Sequence, residues 1–250
     1  MQEGYEHDGK NRNKELVKWG CDALTGNPNI RHSVWIKSGN TMWEQILHLG
    51  QRQLYSKNAI IGGNGEHVTY LQYLHKGRLK LTRFNADGNE KILFYIARGN
   101  LFGEVPFWSG QPMDSAFVAV EPCEVYTFSQ QCIKDEIMKN YPELIVNLLE
   151  GMANKTHIIS GHACDLASML NRVGKVLVYA AEREYTNVVA NKVVCSKGIS
   201  QQELASILGV HRITLNHAVG QLKKQGIIGE MTKSSLVILD YERLLALATR

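Results

Sequence analysis

The sequence predicts an α+β protein built from an N-terminal β-roll, a long central helix and a C-terminal winged helix-turn-helix. Three observations predict this order. Short β-like runs separated by turn residues fill residues 51–129. A helical pattern then continues from about residue 142 to about residue 167. Two amphipathic helices joined at Gly209 lie near the end of the chain.

Residues 1–41 are polar, rich in Gly and Asn, and show little periodicity. We expect a flexible N-terminal arm there, with an extended piece at residues 33–37. The β-roll is assigned to residues 42–130, beginning with a short helix at residues 42–49. Asp87-Gly88 lies between two alternating runs and predicts a tight hairpin. The strand spacing is typical of a roll, a barrel or a sandwich, so a plain β-sandwich interaction module is the alternative.

Residues 131–170 are predicted to be helical and to form a dimerisation region. Pro142 follows a short helix and is tolerated at the first position of the long one. On the long helix, residues recur at alternating steps of three and four, which is the a/d pattern of a two-stranded coiled coil. They are Ile145, Leu148, Met152, Lys155, Ile159, His162 and Leu166. A helix that packs only on its own roll is the alternative.

Residues 171–250 are predicted to form the winged helix-turn-helix, entered through a hinge at residues 171–174. Ser200 and Glu203 have the spacing of a capping box at the start of its first helix. Gly209 supplies the turn because glycine tolerates a positive φ. The second helix starts near His211 and buries Leu215, Val219 and Leu222.

The outer face of that second helix carries Arg212, Ile213, Asn216 and His217. A helix that buries one face and presents Arg, Asn and His on the other suits a DNA major groove. An ordinary helical hairpin is the alternative.

The five cysteines are scattered, without a CxxC motif. This spacing argues against a disulfide framework or a structural zinc site and fits a reducing cytoplasm. The sequence contains no apolar run of about 18 residues and no apolar N-terminal leader, so we expect a cytoplasmic protein without a membrane partner. It also lacks a P-loop, a nucleophile elbow and a His-x-His metal motif. We therefore expect no enzymatic activity, with a cupin-like roll enzyme as the alternative.

Four motifs follow one another along the chain. Leu74–Leu81 has the form strand, Lys-Gly, strand, and Asp87–Leu93 forms the next hairpin. Gly99–Glu104 is Gly-Asn-Leu-Phe-Gly-Glu, and residues 201–228 are the helix-turn-helix with the start of its wing. In this order they resemble the cyclic-AMP receptor/FNR superfamily of bacterial transcription factors. Gly99–Glu104 resembles the Gly-Asp-x-x-Gly-Glu motif that begins the phosphate-binding cassette of that superfamily.

Asn89–Tyr95 and Gly209–His211 are in addition similar to the CprK-type branch, which responds to halogenated phenols. The resemblance implies a cyclic-nucleotide-binding-like jelly roll that binds a small effector. It also implies a homodimer that binds a palindromic operator in double-stranded DNA, and RNA polymerase as a partner if the protein is an activator.

The resemblance also implies two sets of site residues. DNA contacts are expected from Gln201, His211, Arg212, Ile213, Thr214, Asn216 and His217. The floor of the effector pocket is expected near Phe102, Glu104, Val105, Phe107 and Trp108. Its roof is expected at Ile158, Ile159 and Ser160. A small organic effector is the only cofactor that we expect, and no metal is expected.

Two departures from the family pattern change these expectations. The cassette of cyclic-nucleotide binders ends with Arg-Ser or Arg-Thr, whose guanidinium neutralises the cyclic phosphate. Asp114-Ser115 stands there in this chain, and its carboxylate repels a phosphate. We therefore exclude cyclic AMP and expect an aromatic or phenolic effector, since the expected walls are apolar. The alternative is that these apolar residues simply fill the roll.

The second departure lies in the recognition pattern Arg-Glu-Thr-x-x-Arg of the family. Ile213 replaces the Glu and His217 replaces the second Arg. Isoleucine cannot accept a hydrogen bond from cytosine, but it can pack on a thymine methyl group. We therefore expect an operator that is richer in A/T than the TGTGA half-site.

A redox-, haem- or gas-responsive regulator of the same family is the alternative. An FNR-type iron–sulfur sensor needs several N-terminal cysteines, and only Cys21 lies there. His67, His75 and Cys123 lie in the roll, but no pattern selects one of them as a haem ligand. A reversible disulfide between Cys21 and Cys195 would be a further redox device.

Overall fold

The computed structural model describes residues 33–39, 41–63, 65–85, 88–163, 167–189 and 191–249. Most of the expected N-terminal arm, including Cys21, lies outside these residues. The contacts divide the chain into two compact units, and the described parts of these units are essentially residues 34–163 and 167–249. Within the described part of the chain, no helix is both long enough and apolar enough to cross a membrane.

The first unit is a β-roll of two four-stranded sheets. One sheet has the order β1 (Trp35–Ile36), β5 (Glu90–Ala97), β4 (Arg78–Phe84), β7 (Ala116–Ala119). The other has the order β2 (Gln51–Tyr55), β8 (Cys123–Ser129), β3 (Tyr70–Lys76), β6 (Asn100–Phe102). The extended piece expected near residue 35 is therefore strand β1, which pairs in parallel with β5 as part of the roll.

The hairpin predicted at Asp87-Gly88 joins β4 to β5. Gly88 has φ +77°, a left-handed conformation that glycine adopts without steric cost. Its N–H donates to the carbonyl of Asn85 at 3.0 Å. Asp87 itself lies outside the described residues.

Several helices pack against the roll. They are a 3₁₀ helix at Met42–Leu49, α1 (Glu104–Ser109), and a helical segment over residues 130–140 that contains a π-helical turn at Ile133–Ile137. The long helix α2 (Pro142–Ala163) starts at Pro142, as predicted. One apolar core lies between the sheets, and Ile158 of α2 joins it. A second core holds Trp43 of the 3₁₀ helix together with Leu144 and Leu148 of α2.

Helix α2 shows that the coiled-coil positions interpreted from the sequence are wrong. Leu148 and Lys155, two of those positions, are buried against the roll of the same chain, because the helix covers the second core. The exposed stripe lies one residue later along the helix and keeps the steps of three and four. It consists of Val146, Leu149, Ala153, Thr156 and Ser160. The side chains of His162 and Leu166 lie outside the part of the chain that the structure describes.

The second unit is a winged helix-turn-helix, as predicted. Its helices are α3 (Met169–Glu184), α4 (Gln201–Leu208), α5 (Arg212–Lys224) and α6 (Tyr241–Ala248). Its sheet has the order β11 (Ile228–Met231), β12 (Leu236–Ile238), β10 (Lys192–Cys195), β9 (Tyr185–Val189). Strands β11 and β12 form the wing.

The hinge expected at residues 171–174 is wrong, because these residues lie inside α3. Gly174 is a close-packing position there. A Cβ atom at Gly174 would lie 3.6 Å from Cβ of Leu247 in α6. Helices α3 and α6 therefore pack closely at this point.

Candidate DNA-recognition helix and effector cavity

The helix-turn-helix begins and turns where the sequence places its signals. The hydroxyl of Ser200 accepts a hydrogen bond from the N–H of Glu203 at 3.1 Å and caps α4. Gly209 ends α4 with φ +65°, and its N–H bonds to the carbonyls of Ala205 and Ser206. These bonds fix the turn that leads into α5, the helix that we call the recognition helix.

The recognition helix separates its apolar and polar residues as predicted. Leu215, Val219 and Leu222 are buried. Six of the seven residues expected to contact DNA are exposed: His211, Arg212, Ile213, Thr214, Asn216 and His217. The seventh, Gln201, is half-buried in the first turn of α4. His211 caps the recognition helix, since its Nδ1 accepts from the N–H of Ile213 at 3.4 Å.

The net charge of the chain resides in this unit. Residues 167–249 carry ten Lys and Arg against six Asp and Glu, whereas the rest of the chain carries eighteen of each. Lys223 and Lys224 at the end of α5 and Lys233 in the turn between β11 and β12 are exposed. An excess of cations on one compact unit attracts a polyanion such as DNA.

A cavity of about 390 Å³, open to solvent, lies between β4, β5, α1 and α2. Four residues expected in the effector pocket line it: Phe102, Glu104, Val105 and Ile159. The other four do not. Phe107 and Ile158 lie in the two cores, Trp108 packs edge-on against Phe107, and Ser160 lies on the exposed stripe of α2.

A buried ion pair forms one wall of the cavity. The ammonium of Lys155 lies 2.5 Å from Oε1 of Glu104 and donates to the carbonyl of Leu101 at 2.7 Å. The side chains of Lys155 and Glu104 are only 10% and 4% exposed. Glu104, the residue that resembles the ribose-binding carboxylate of cyclic-nucleotide binders, is thus already engaged by a cation of the same chain.

A second ion pair joins Arg83 to Asp114, and both residues line the cavity. These two side chains are well exposed. Asp114 therefore stands beside a guanidinium of the same chain. The four charged side chains of the lining form two pairs, so their charges sum to zero.

The described cysteines are engaged or buried. Burial raises the pKa of the Cys195 thiol to about 11, and the charge of Glu184 adds to this shift. Burial also raises the pKa of Cys123, whose Sγ donates to the carbonyls of Arg78 and Glu121. A thiol that stays protonated is a poor nucleophile.

Comparison with known proteins matches both units. Residues 52–140 match the cyclic nucleotide-binding domain, and residues 165–247 match the Crp-like helix-turn-helix domain. The chain belongs to the CRP/FNR family of transcription regulators. It is 26% identical over 195 residues to the cAMP-activated global transcriptional regulator CRP of Pasteurella multocida, which covers 77% of this chain and 91% of that protein.

Solved structures of similar proteins support the fold. CprK (C200S) complexed with OCPA is 18% identical, with a TM-score of 0.69, and the match covers 86% of this chain and 97% of that one. A CooA mutant from Carboxydothermus hydrogenoformans is 17% identical, with a TM-score of 0.70 and coverage of 85% and 96%. The family predicted from the sequence motifs is confirmed.

Two charged residues of the cavity were not expected from the sequence, Lys155 and Arg83. The sequence pattern places Lys155 among the expected coiled-coil positions. Its position between the buried Leu148 and Ile158 is a signal for a buried cation, which requires a carboxylate partner. Arg83 lies two residues after Leu81, which also lines the cavity, so strand alternation is the signal there.

Proposed function

We propose that this CRP/FNR-family regulator acts as a homodimer on a palindromic operator and responds to a small, uncharged, largely apolar effector. The observation that carries the DNA-binding part is the recognition helix. The exposed polar face of α5 belongs to the unit that carries the entire net positive charge of the chain. Phosphate attraction supplies affinity, and the exposed side chains supply specificity.

Arg212 is the side chain expected to read a guanine edge or to clamp a phosphate. Ile213 packs on a thymine methyl group, and Asn216 pairs with an adenine. His217 reaches less far than the arginine that it replaces. Gln201, His211 and Thr214 contact phosphates. From these seven side chains we expect a palindrome that is richer in A/T than one built from TGTGA half-sites.

The exposed stripe of α2 supports a dimer. Val146 and Leu149 are 56% and 59% exposed, which is unusual for large apolar side chains on a helix that is well packed elsewhere. A second copy of α2 would cover the stripe at coiled-coil spacing. Two copies would also present two recognition helices to the two halves of a palindrome.

The cavity supports an uncharged effector. Its volume of about 390 Å³ suits a small organic molecule. A phosphate or carboxylate would have to displace Glu104 from Lys155 or Asp114 from Arg83, which leaves that carboxylate without its cation. A neutral phenol needs neither, because its hydroxyl can bond to the existing ion pair.

Selection from random DNA duplexes tests the DNA-binding part. We expect the protein to enrich an A/T-rich palindrome, whereas recovery of TGTGA half-sites would refute the specificity that we propose. On the selected operator, Arg212→Ala should weaken binding by about 1–3 kcal/mol. Gln221→Ala, on the same helix and exposed, is the matched control and should bind like the wild type.

A thermal-shift screen tests the effector. Neutral phenols and related aromatics should raise the melting temperature, because a ligand of the native state stabilises it. Cyclic AMP should not raise it. A shift with cyclic AMP and none with the aromatics would contradict the proposed effector class and leave the DNA-binding proposal intact.

A further inference from the structure

Both helices of the helix-turn-helix end at a carbonyl group that accepts a hydrogen bond from an arginine of a flanking helix. Arg172 of α3 donates from Nη2 to the carbonyl of Leu208 at 2.6 Å. Arg243 of α6 donates from Nη1 to the carbonyl of Gln225 at 3.1 Å. Leu208 is the last residue of α4, and Gln225 is the C-cap of the recognition helix.

These two bonds meet a general need of helix ends. The last carbonyls of a helix have no partner within the helix and carry a partial negative charge. The backbone bonds of Gly209 and Val210 reach only Ala205 and Ser206. The guanidinium of Arg172 serves the carbonyl of Leu208 instead, and a charged donor makes this bond stronger than a neutral one.

The two arginine bonds flank the recognition helix, one at the end of α4 just before it and one at its own C-cap. Leu208 lies three residues before the N-cap His211, and Gln225 directly follows the last helical residue. A helix of 13 residues is about 20 Å long. A small rotation at the C-terminal end therefore displaces the base-contacting side chains in the first two turns of the helix.

Arg243 is itself anchored. The carboxylate of Asp240 accepts from the N–H of Arg243 at 3.0 Å and from Nδ2 of Asn191 at 2.6 Å. The N–H of Glu242 donates to Oδ1 of Asn191 at 2.9 Å. The start of α6 is thus tied to the β9–β10 turn, and Arg243 connects the recognition helix to a braced support.

We propose that Arg172 and Arg243 are positioning residues that set the orientation of the recognition helix for base contact without touching DNA themselves. This inference rests on the proposed function, since it assumes that α5 contacts the operator. It separates two kinds of arginine on this unit, because Arg212 would contact DNA while Arg172 and Arg243 act through carbonyl groups of the protein.

The test compares Arg172→Gln, Arg243→Gln, Arg172→Lys and Arg243→Lys in the full-length protein. Binding to the selected operator and to a scrambled duplex of equal length is measured by fluorescence anisotropy over a range of KCl concentrations. Each Gln variant should bind the operator about tenfold more weakly, because a charge-assisted bond is lost. Binding to the scrambled duplex and the salt slope should stay unchanged, since no phosphate contact is removed.

The Lys variants keep the charge and one donor but lose the planar fork, so we expect a loss of about threefold. If a Gln variant fails to fold, its Lys counterpart decides, and wild-type operator affinity in that Lys variant would overturn the proposal at that position.

Wild-type operator affinity in folded Gln variants would overturn it as well. An equal loss on both duplexes, with a salt slope reduced by about one, would show a direct phosphate contact and overturn the positioning role. If the wild type does not distinguish the operator from the scrambled duplex, the proposed function fails instead.

Discussion

The side chain of Lys155 links the long helix to the roll and engages the carboxylate of Glu104 in the cavity wall. Its ammonium holds Glu104 and the carbonyl of Leu101 in a place that is almost closed to solvent. Removing one partner of a buried pair leaves the other charge unpaired, which costs far more than the pair itself contributes.

Lys155→Met and Glu104→Met should therefore each lower the free energy of unfolding by about 3–5 kcal/mol. The double variant should lose clearly less than the sum of the two, because it leaves no unpaired charge. Urea unfolding of the four proteins measures the coupling. Additive losses would show that the two side chains do not depend on each other.

Glu124 is the second residue whose charge state matters. Hydrogen bonds from Arg52 and Lys76 outweigh its burial and hold the pKa of Glu124 at about 2, below its usual 4.5. A lowered pKa stabilises the folded state above about pH 4.5, and this stabilisation is lost as the pH falls towards 2.

We expect the contribution of Glu124 to be about 1–2 kcal/mol, because its two partners are more than half exposed and solvent screens them. Glu124→Gln should lose less stability than the wild type when the pH falls from about 5 to about 2. Chemical unfolding over this pH range measures the difference. Parallel pH profiles for the two proteins would contradict the assignment.

At the residue scale, the sequence predicts local signals well and long-range partners poorly. Ser200 and Gly209 act through neighbours within a few residues, so their roles follow from spacing alone. Lys155 and Glu104 are 51 residues apart, and no local pattern connects them. The four expected residues that line the cavity follow from a family resemblance, whereas the ion pair is visible only in the structure.

Among the elements, the wing depends on one glycine. A Cβ atom at Gly198 would lie 2.0 Å from the carbonyl oxygen of Thr232 and 2.4 Å from that of Ser235. The N–H of Gly198 also donates to the carbonyl of Lys233 at 3.2 Å. The backbone of the wing can therefore pack against residue 198 only if that residue is glycine.

Gly198→Ala should lower the free energy of unfolding by about 1–3 kcal/mol, because the backbone of the wing must shift. Gly220→Ala is the matched control, since a Cβ atom there meets nothing within 4 Å. In the interior of a helix this change should raise stability by about 0.5–1 kcal/mol. Equal effects of the two substitutions in urea unfolding would contradict the packing at the wing.

A second prediction at this scale concerns the exposed stripe of α2 as a dimer contact. Leu149→Glu places a charge in the middle of the proposed dimer contact and should convert the protein to a monomer, because a charge buried without a partner is costly. Asn154 is exposed but lies off the stripe, so Asn154→Glu should leave the dimer intact. Analytical ultracentrifugation distinguishes the two. A dimeric Leu149→Glu protein would place the interface elsewhere.

The shift of this stripe shows why helix patterns fix spacing but not direction. Ile145, Leu148 and Met152 have the same steps of three and four as Val146, Leu149 and Ala153. Either set could face a partner helix. Only the position of the second core, which the start of α2 covers, determines which set is buried.

For the whole molecule, the fold and the effector have different determinants. The order of roll, long helix and winged helix was predictable because four different motifs follow one another along the chain in the order typical of the family. The chain shares this architecture with CRP of Pasteurella multocida, a cAMP-activated regulator. We expect the effector to depend on a few side chains of the cavity, where Asp114 replaces the arginine of cyclic-nucleotide binders and Lys155 engages Glu104.

The most direct test of this account is the affinity for the selected operator, measured by fluorescence anisotropy with and without cyclic AMP. We predict that cyclic AMP leaves the dissociation constant unchanged, because the cavity offers its phosphate only cations that are already paired. Operator binding that tightens about tenfold or more on addition of cyclic AMP, equivalent to about 1.4 kcal/mol, would contradict the account.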